Sequence, residues 1–95
     1  MKFRIEKADP PHKWFGVFTD ERRRETRIPF GAAGYQDLTQ HHDRRRKTLY
    51  LARHRKNEDW NDPQTAGALS RWILWHTPNI DQNVRDFKKR FGFTD

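Results

Sequence analysis

The chain has 95 residues, of which 20 are Lys or Arg and 13 are Asp or Glu, and its formal net charge is +7. A chain of this length forms one domain with a modest core, which argues against a deep enclosed active site. It contains no cysteine, which excludes disulfides, thiolate zinc sites and cysteine nucleophiles. No apolar run approaches the roughly 18 to 20 residues of a membrane span, so we expect no membrane partner.

The segment 1–30 is predicted to form a three-stranded antiparallel meander. Hydrophobic and charged side chains alternate from Lys2 to Lys7, as in a strand with one buried face. Residues 14–19 are apolar on both faces, which favours a central strand. Residues 22–30 are rich in charge and contain Pro29, which favours an edge strand.

Beyond a glycine-containing corner the periodicity becomes helical, and helices are predicted over residues 35–57, 64–76 and 78–91. Asp37, followed three residues later by Gln40, resembles a capping box at the start of the first helix. The order is therefore βββααα. It predicts a single α+β domain with its helices on one face of the sheet.

Hydrophobic stripes indicate which side of each helix packs inward. In the first helix Leu49, Ala52 and, at the margin, Tyr50 are expected to face the core. The second helix is apolar over more than half of its circumference, which marks it as the central core helix. In the third helix the expected stripe is Ile80, Val84, Phe87 and Phe91. Thr77 is its expected N-cap, Pro78 its first residue and Gly92 its end.

Residues 41–56 carry most of the excess positive charge, with seven Lys or Arg residues and one Asp. A helix that is merely solvated would pair opposite charges at i,i+4, whereas these side chains repel one another. We therefore expect this helix to face an anionic partner. The residues expected to contact it are Arg44, Arg45, Arg46, Lys47, Arg53, Arg55 and Lys56. A second expected patch, at the sheet edge, consists of Arg22, Arg23, Arg24 and Arg27.

The two patches predict a non-enzymatic protein that binds nucleic acid, with double-stranded DNA of weak sequence specificity as the expected ligand. Two alternatives stay open. The charged helix is simply solvated, or the protein is a structural or adaptor component that binds acidic protein surfaces. Two aromatic side chains, Tyr35 and Trp60, either cover the edge of the core or stack on a partner.

The histidines raise a further alternative, a metal-dependent nuclease. Adjacent residues on a helix, such as His41 and His42, point about 100° apart, and His54 is expected to project elsewhere, so convergence on a metal is poor. The sequence contains no nucleophile elbow and no phosphate-binding glycine loop. We expect no catalytic residue, metal or cofactor. The acidic segment 57–62 is expected to cap helices and to pair with Arg53.

Several motifs together carry a resemblance to a known family. They are FGAAGYQDLTQH at 30–41, YLARH at 50–54, EDW at 58–60, TAGALSR at 65–71 and LW at 74–75. The sequence resembles a small uncharacterised family encoded by giant nucleocytoplasmic large DNA viruses, with the similarity covering about residues 30–91. Leu38, His42 and His76 depart from that family's pattern. The resemblance implies a virion protein that is present in the host nucleus or cytoplasm during infection, acts in genome packaging or organisation, and has other virion proteins as further partners.

Overall fold

An antiparallel meander forms one layer of the molecule in a computed structural model that describes residues 1–94. Its strands are β1 (Lys2–Lys7), β2 (His12–Thr19) and β3 (Glu25–Ala32), arranged in the order β1-β2-β3. The predicted central position of the second strand and edge position of the third are confirmed. Pro29 lies on β3, where an edge strand tolerates a residue that has no backbone N–H.

Within residues 1–94 the helical layer contains four α-helices and a π-helix, rather than the three helices that the sequence predicts. The α+β class and the order of strands before helices are confirmed. None of the helices described has the length and apolar character of a membrane span. The elements are α1 (Leu38–His41), α2 (Arg44–His54), α3 (Ala66–Leu69), the π-helix Ser70–Leu74 that continues α3, and α4 (Ile80–Phe91).

His42 separates α1 from α2, so the single helix predicted over 35–57 is wrong. His42 has a φ of 57°, in the left-handed region, and ends α1. Asp43 then caps α2, because its carboxylate accepts hydrogen bonds from the backbone N–H groups of Arg45 and Arg46. Aspartate is more favourable at an N-cap than in a helix interior, which is the physical reason for the break.

The start of α4 also differs from the prediction. Asn79, and not Thr77, is the N-cap, and the helix begins at Ile80. The Thr77 hydroxyl instead donates a hydrogen bond to the side chain of Asn83, a buried residue. Gly92, with a φ of 73°, ends α4 as predicted.

The core between the two layers is largely aromatic. The ring centroid of Phe3 lies 5.0 Å from that of Phe18 and 4.6 Å from that of Phe87. Phe87 is buried, and the other members of the predicted α4 stripe pack against the core, which confirms that stripe. Gly16 on β2 allows α3 to approach the sheet, because a Cβ at this position would lie 2.9 Å from Cδ1 of Leu69.

Candidate nucleic-acid interface

Tyr50 and Leu51 hold α2 against the core. The Tyr50 ring is buried and stacks on Trp75 with centroids 4.2 Å apart and an interplanar angle of 7°. Leu49, by contrast, is 57% exposed, and Ala52 is exposed as well. The predicted inward stripe of Leu49 and Ala52 is therefore wrong. Because the chain breaks at His42 and α2 begins at Arg44, the rotation of α2 about its axis is independent of α1. The stacking of Tyr50 on Trp75 sets this rotation.

Most of the basic side chains of α2 and the two residues after it are exposed. Within residues 1–94, no carboxylate oxygen lies within 4.0 Å of their charged nitrogen atoms. This arrangement leaves a concentrated positive charge that the described fold does not neutralise. These residues, which we name the α2 cations, are Arg44, Arg45, Arg46, Arg53, Arg55 and Lys56.

Lys47 differs from the α2 cations, and its predicted place on the outward surface is wrong. Its Nζ donates a hydrogen bond to the backbone carbonyl of His76 at 2.7 Å, and the side chain is half-buried. Burial lowers the pKa of Lys47, and the nearby charges of Arg71 and Arg44 lower it further. Lys47 therefore joins α2 to the segment that follows the π-helix. The stacking of Tyr50 on Trp75 sets the rotation of α2 about its axis, and this rotation turns Lys47 toward His76 instead of solvent.

Two of the four arginines of the predicted patch at the sheet edge are paired with carboxylates of the fold. Arg27 Nη1 lies 2.6 Å from Glu6 Oε1, and Arg24 Nε lies 2.8 Å from Asp20 Oδ2. The hydrogen bond from Arg27 lowers the pKa of Glu6. Arg24 and Arg27, which belong to the expected patch, are therefore each paired with a carboxylate of the fold.

The strand register explains the pairing of Arg27. Arg4 on β1 and Arg27 on β3 both lie opposite Val17 of β2. Arg4 pairs with Glu6 at 2.8 Å and with Glu25 at 3.1 Å. Arg4, Arg27 and the two glutamates form a charge-balanced network on the sheet face away from the helices. Val17, on the same face, is fully buried.

Arg22 and Arg23 lie in the turn between β2 and β3 and are exposed. Neither has a carboxylate within 4.0 Å in the part of the chain that the structure describes. This turn lies at the opposite end of β3 from Ala32, where the chain leaves the sheet toward α1. These two arginines therefore form a small basic site remote from the junction of sheet and helices.

Lys13 fixes the corner between the sheet and α1. Asp37 and Gln40 form the predicted capping box, which is confirmed. Lys13 Nζ donates to Asp37 Oδ2 and to Gln40 Oε1, both at 2.6 Å. Sequence reasoning missed this contact. A lysine on a strand is usually solvated, and the only signal was that Lys13 precedes an apolar run.

An open groove of about 840 Å³ borders α2 on the side of this corner. One wall is a stripe of α2 residues at helical spacing, formed by Arg46, Leu49, Tyr50, Arg53 and His54. The lining also includes the last part of β3, Tyr35, Leu74 and Trp75. The groove therefore combines aromatic surface with two of the α2 cations.

Stacked rings support the groove wall. His54 stacks on Tyr50 with centroids 4.1 Å apart, and Tyr50 in turn stacks on Trp75. Glu58 Oε1 lies 2.7 Å from His54 Nδ1. The expected pairing of the acidic segment with Arg53 is wrong, because the i,i+4 spacing places Glu58 beside His54.

The remaining candidates from the sequence lie outside the groove or within the core. Trp60 is half-buried, its carbonyl accepts a hydrogen bond from Trp72 Nε1 at 2.8 Å, and its ring faces the Arg71 guanidinium at 5.4 Å. Trp60 therefore covers the edge of the core. The His41 ring lies 5.3 Å from that of Trp75. Across residues 1–94, no group of three or more His, Asp or Glu side chains could hold a metal ion.

The model of one protein family matches residues 4–54, which is more than half of the chain. The chain belongs to this family, a family of unknown function named DUF5754. Neither a curated protein nor a solved structure matches the chain. The DUF5754 match contains most of the sheet, α1 and α2, and so includes both Lys13 and most of the α2 cations. The viral resemblance, which rests on residues 30–91, stays a prediction.

Proposed function

We propose that the protein is a non-enzymatic nucleic-acid-binding domain that contacts the phosphate backbone through the α2 cations. Double-stranded DNA, bound with weak sequence specificity, is the proposed ligand. The observation that carries the proposal is that the α2 cations are exposed and unpaired among residues 1–94, whereas Arg24 and Arg27 are paired. Phosphate groups offset the mutual repulsion of such a cluster and release counterions when they bind.

The start of α2 supports this proposal. Arg44 and Arg45 lie in the first turn of α2, which contains no acidic residue. The positive end of the helix dipole disfavours basic side chains there, so their presence opposes the stability of the isolated helix. A phosphate bound by the two arginines would offset this unfavourable interaction with the helix dipole.

Apart from its arginines, α2 exposes few side chains that can read bases. Apart from the arginines and Asp43, the exposed positions of the helix are Thr48, Leu49 and Ala52. Only Thr48 among these can form hydrogen bonds with the edge of a base. Contacts to phosphates carry little sequence information, which supports weak specificity. The setting that we propose, genome packaging or organisation in a virus particle, rests on the motif resemblance alone.

An adaptor that binds acidic proteins would use the same cations and is the alternative proposal. An exposed apolar sheet face would favour it. The described outer face of the sheet instead carries the ion pairs of Arg4, Glu6, Glu25 and Arg27. The nucleic-acid proposal is therefore preferred.

The test is a fluorescence anisotropy titration of a duplex of about 20 base pairs between about 50 and 200 mM salt. We compare the R44E/R45E variant with R22E/R23E, which changes the net charge by the same amount. We expect R44E/R45E to weaken binding by about tenfold or more and to reduce the salt slope by about 0.9 per lost phosphate contact.

We expect R22E/R23E to change the affinity much less, because these arginines lie at the far end of the sheet. Acidic side chains in the first turn of α2 interact favourably with the helix dipole, so R44E/R45E is expected to keep the wild-type melting temperature. Absence of salt-dependent binding by the wild type, or equal losses in the two variants, would contradict the proposal.

A further inference from the structure

We infer that the groove beside α2 holds an unpaired nucleotide of a single-stranded nucleic acid, with its base against Tyr35 and Leu49 and its phosphates on Arg46 and Arg53. This inference rests on the proposed function and adds to it a groove site for an unpaired nucleotide, beside the α2 cations that contact phosphates.

The two arginines bracket the apolar part of the α2 wall. Arg46, Leu49, Tyr50 and Arg53 follow one another at i, i+3, i+4 and i+7, and all of them line the groove. A separation of seven residues along a helix corresponds to about 10 Å between the arginine Cα atoms. Flexible arginine side chains at this separation can reach the phosphates on either side of a nucleotide whose base lies between them.

Tyr35 and Leu49 are large hydrophobic side chains that the fold leaves in solvent. Tyr35 is 76% exposed and Leu49 is 57% exposed, yet both line the same groove. Exposed apolar side chains that cluster in one concave surface indicate a binding site. An aromatic ring beside a basic surface is the arrangement that proteins use to stack unpaired bases.

The charge of the groove matches a polyanion. Asp37 is the one carboxylate in its described lining, and Lys13 already neutralises it. Arg46 and Arg53 remain without a carboxylate partner in the described chain. A paired base in a duplex is stacked between its neighbours and cannot enter the groove, whereas an unpaired base can do so without first being unstacked from a duplex.

The experiment compares three ligands with equal numbers of phosphates: a single-stranded DNA of about ten nucleotides, the abasic oligonucleotide of the same length, and a short duplex. For the wild-type protein we expect the single strand to bind about tenfold more tightly than the abasic oligonucleotide. The variants Y35A and L49Q are each expected to bring this ratio close to one. The matched controls Y35F, which keeps the ring, and A52Q, which changes the same helix outside the groove, are expected to preserve it.

Equal affinities of the wild type for the single strand and the abasic oligonucleotide would overturn the inference. An unchanged ratio in both Y35A and L49Q would also overturn it. Binding of an acidic peptide that Y35A weakens as strongly as it weakens binding of the single strand would overturn it as well. The proposed function is tested separately by R44E/R45E, which is expected to weaken all three nucleic-acid ligands. If that loss is seen while the groove variants have no effect, only the inference fails.

Discussion

Lys13 and Asp37 form an ion pair with an Nζ–Oδ2 distance of 2.6 Å, and their side chains are only 13% and 4% exposed. The pair connects β2 to the N-cap of α1, so it joins the sheet to the helical layer. Both residues line the groove. The geometry of the groove therefore depends on a contact between residues 24 positions apart in the chain.

The first prediction concerns this ion pair. Lys13→Met leaves the buried carboxylate of Asp37 without its positive partner, and we expect the free energy of unfolding to fall by roughly 3 to 5 kcal/mol. The double variant K13M/D37N removes both charges and is expected to recover part of this loss. Urea denaturation measures both effects, with Lys2→Met on an exposed position as the control. A K13M midpoint equal to that of K2M would show that the ion pair does not stabilise the fold.

The second prediction separates the structural lysine of α2 from the exposed arginines. Lys47→Met removes the donor to the His76 carbonyl, and we expect a loss of about 1 to 2 kcal/mol in the free energy of unfolding. Arg45→Met at an exposed position is expected to change it by less than about 0.5 kcal/mol. Duplex binding is expected to show the reverse order, with the larger loss for R45M. Thermal melts and anisotropy titrations on the two variants check this, and the same order in both measurements would contradict it.

The third prediction concerns the close approach of α3 to the sheet. A methyl group at Gly16 would meet Cδ1 of Leu69 at 2.9 Å, and we expect Gly16→Ala to cost about 1 to 3 kcal/mol through overpacking. At Gly34 an added Cβ meets nothing within 4 Å, so Gly34→Ala is expected to be neutral or slightly stabilising. Chemical denaturation of the two variants tests this contrast. Equal stabilities would mean that the sheet and α3 are packed less tightly than the structure indicates.

The fourth prediction concerns pH. Burial lowers the pKa of His41 and of His76 below 6.5, although a hydrogen bond to Asp86 partly opposes the shift of His76. Each ring has one buried nitrogen atom without a hydrogen-bond partner among the described residues. The unfolded chain therefore binds these protons more readily than the folded one, and stability is expected to fall as the pH drops below about 6.5.

Melting temperatures measured between about pH 7.5 and pH 5.5 test this expectation. The variants His41→Asn and His76→Asn are each expected to show a smaller decrease over this range than the wild type. His12→Gln, which changes an exposed histidine, serves as the control and is expected to follow the wild type. A decrease that is identical in all four proteins would assign the pH dependence to other groups.

Local sequence signals predicted the strands and several helix ends. Alternation located β1, Pro29 indicated the edge strand, and the spacing of Asp37 and Gln40 located the start of α1. Gly92 was likewise a reliable signal for the end of α4. Each of these features depends on residues close together in the chain, which is why the sequence alone was sufficient.

The rotation of α2 could not be predicted, because it depends on a tertiary contact. Both Leu49 and Tyr50 are plausible core residues by periodicity, and only the stacking of Tyr50 on Trp75 decides between them. The same rotation buries Lys47 and turns Leu49 toward the groove. The neutralisation of Arg27 depends in turn on strand register, which places Glu6 and Glu25 within its reach. The groove was missed because its lining residues come from parts of the chain that only tertiary contacts bring together.

The most direct test of the central claim is an NMR titration of the protein with duplex DNA at low salt, in which backbone amide signals report where the DNA binds. We expect the shifted or broadened signals to concentrate in residues 44–56 and added salt to reverse the changes. Signals that stay unchanged at low salt, or changes confined to the turn at residues 20–24, would contradict the assignment of binding to the α2 cations.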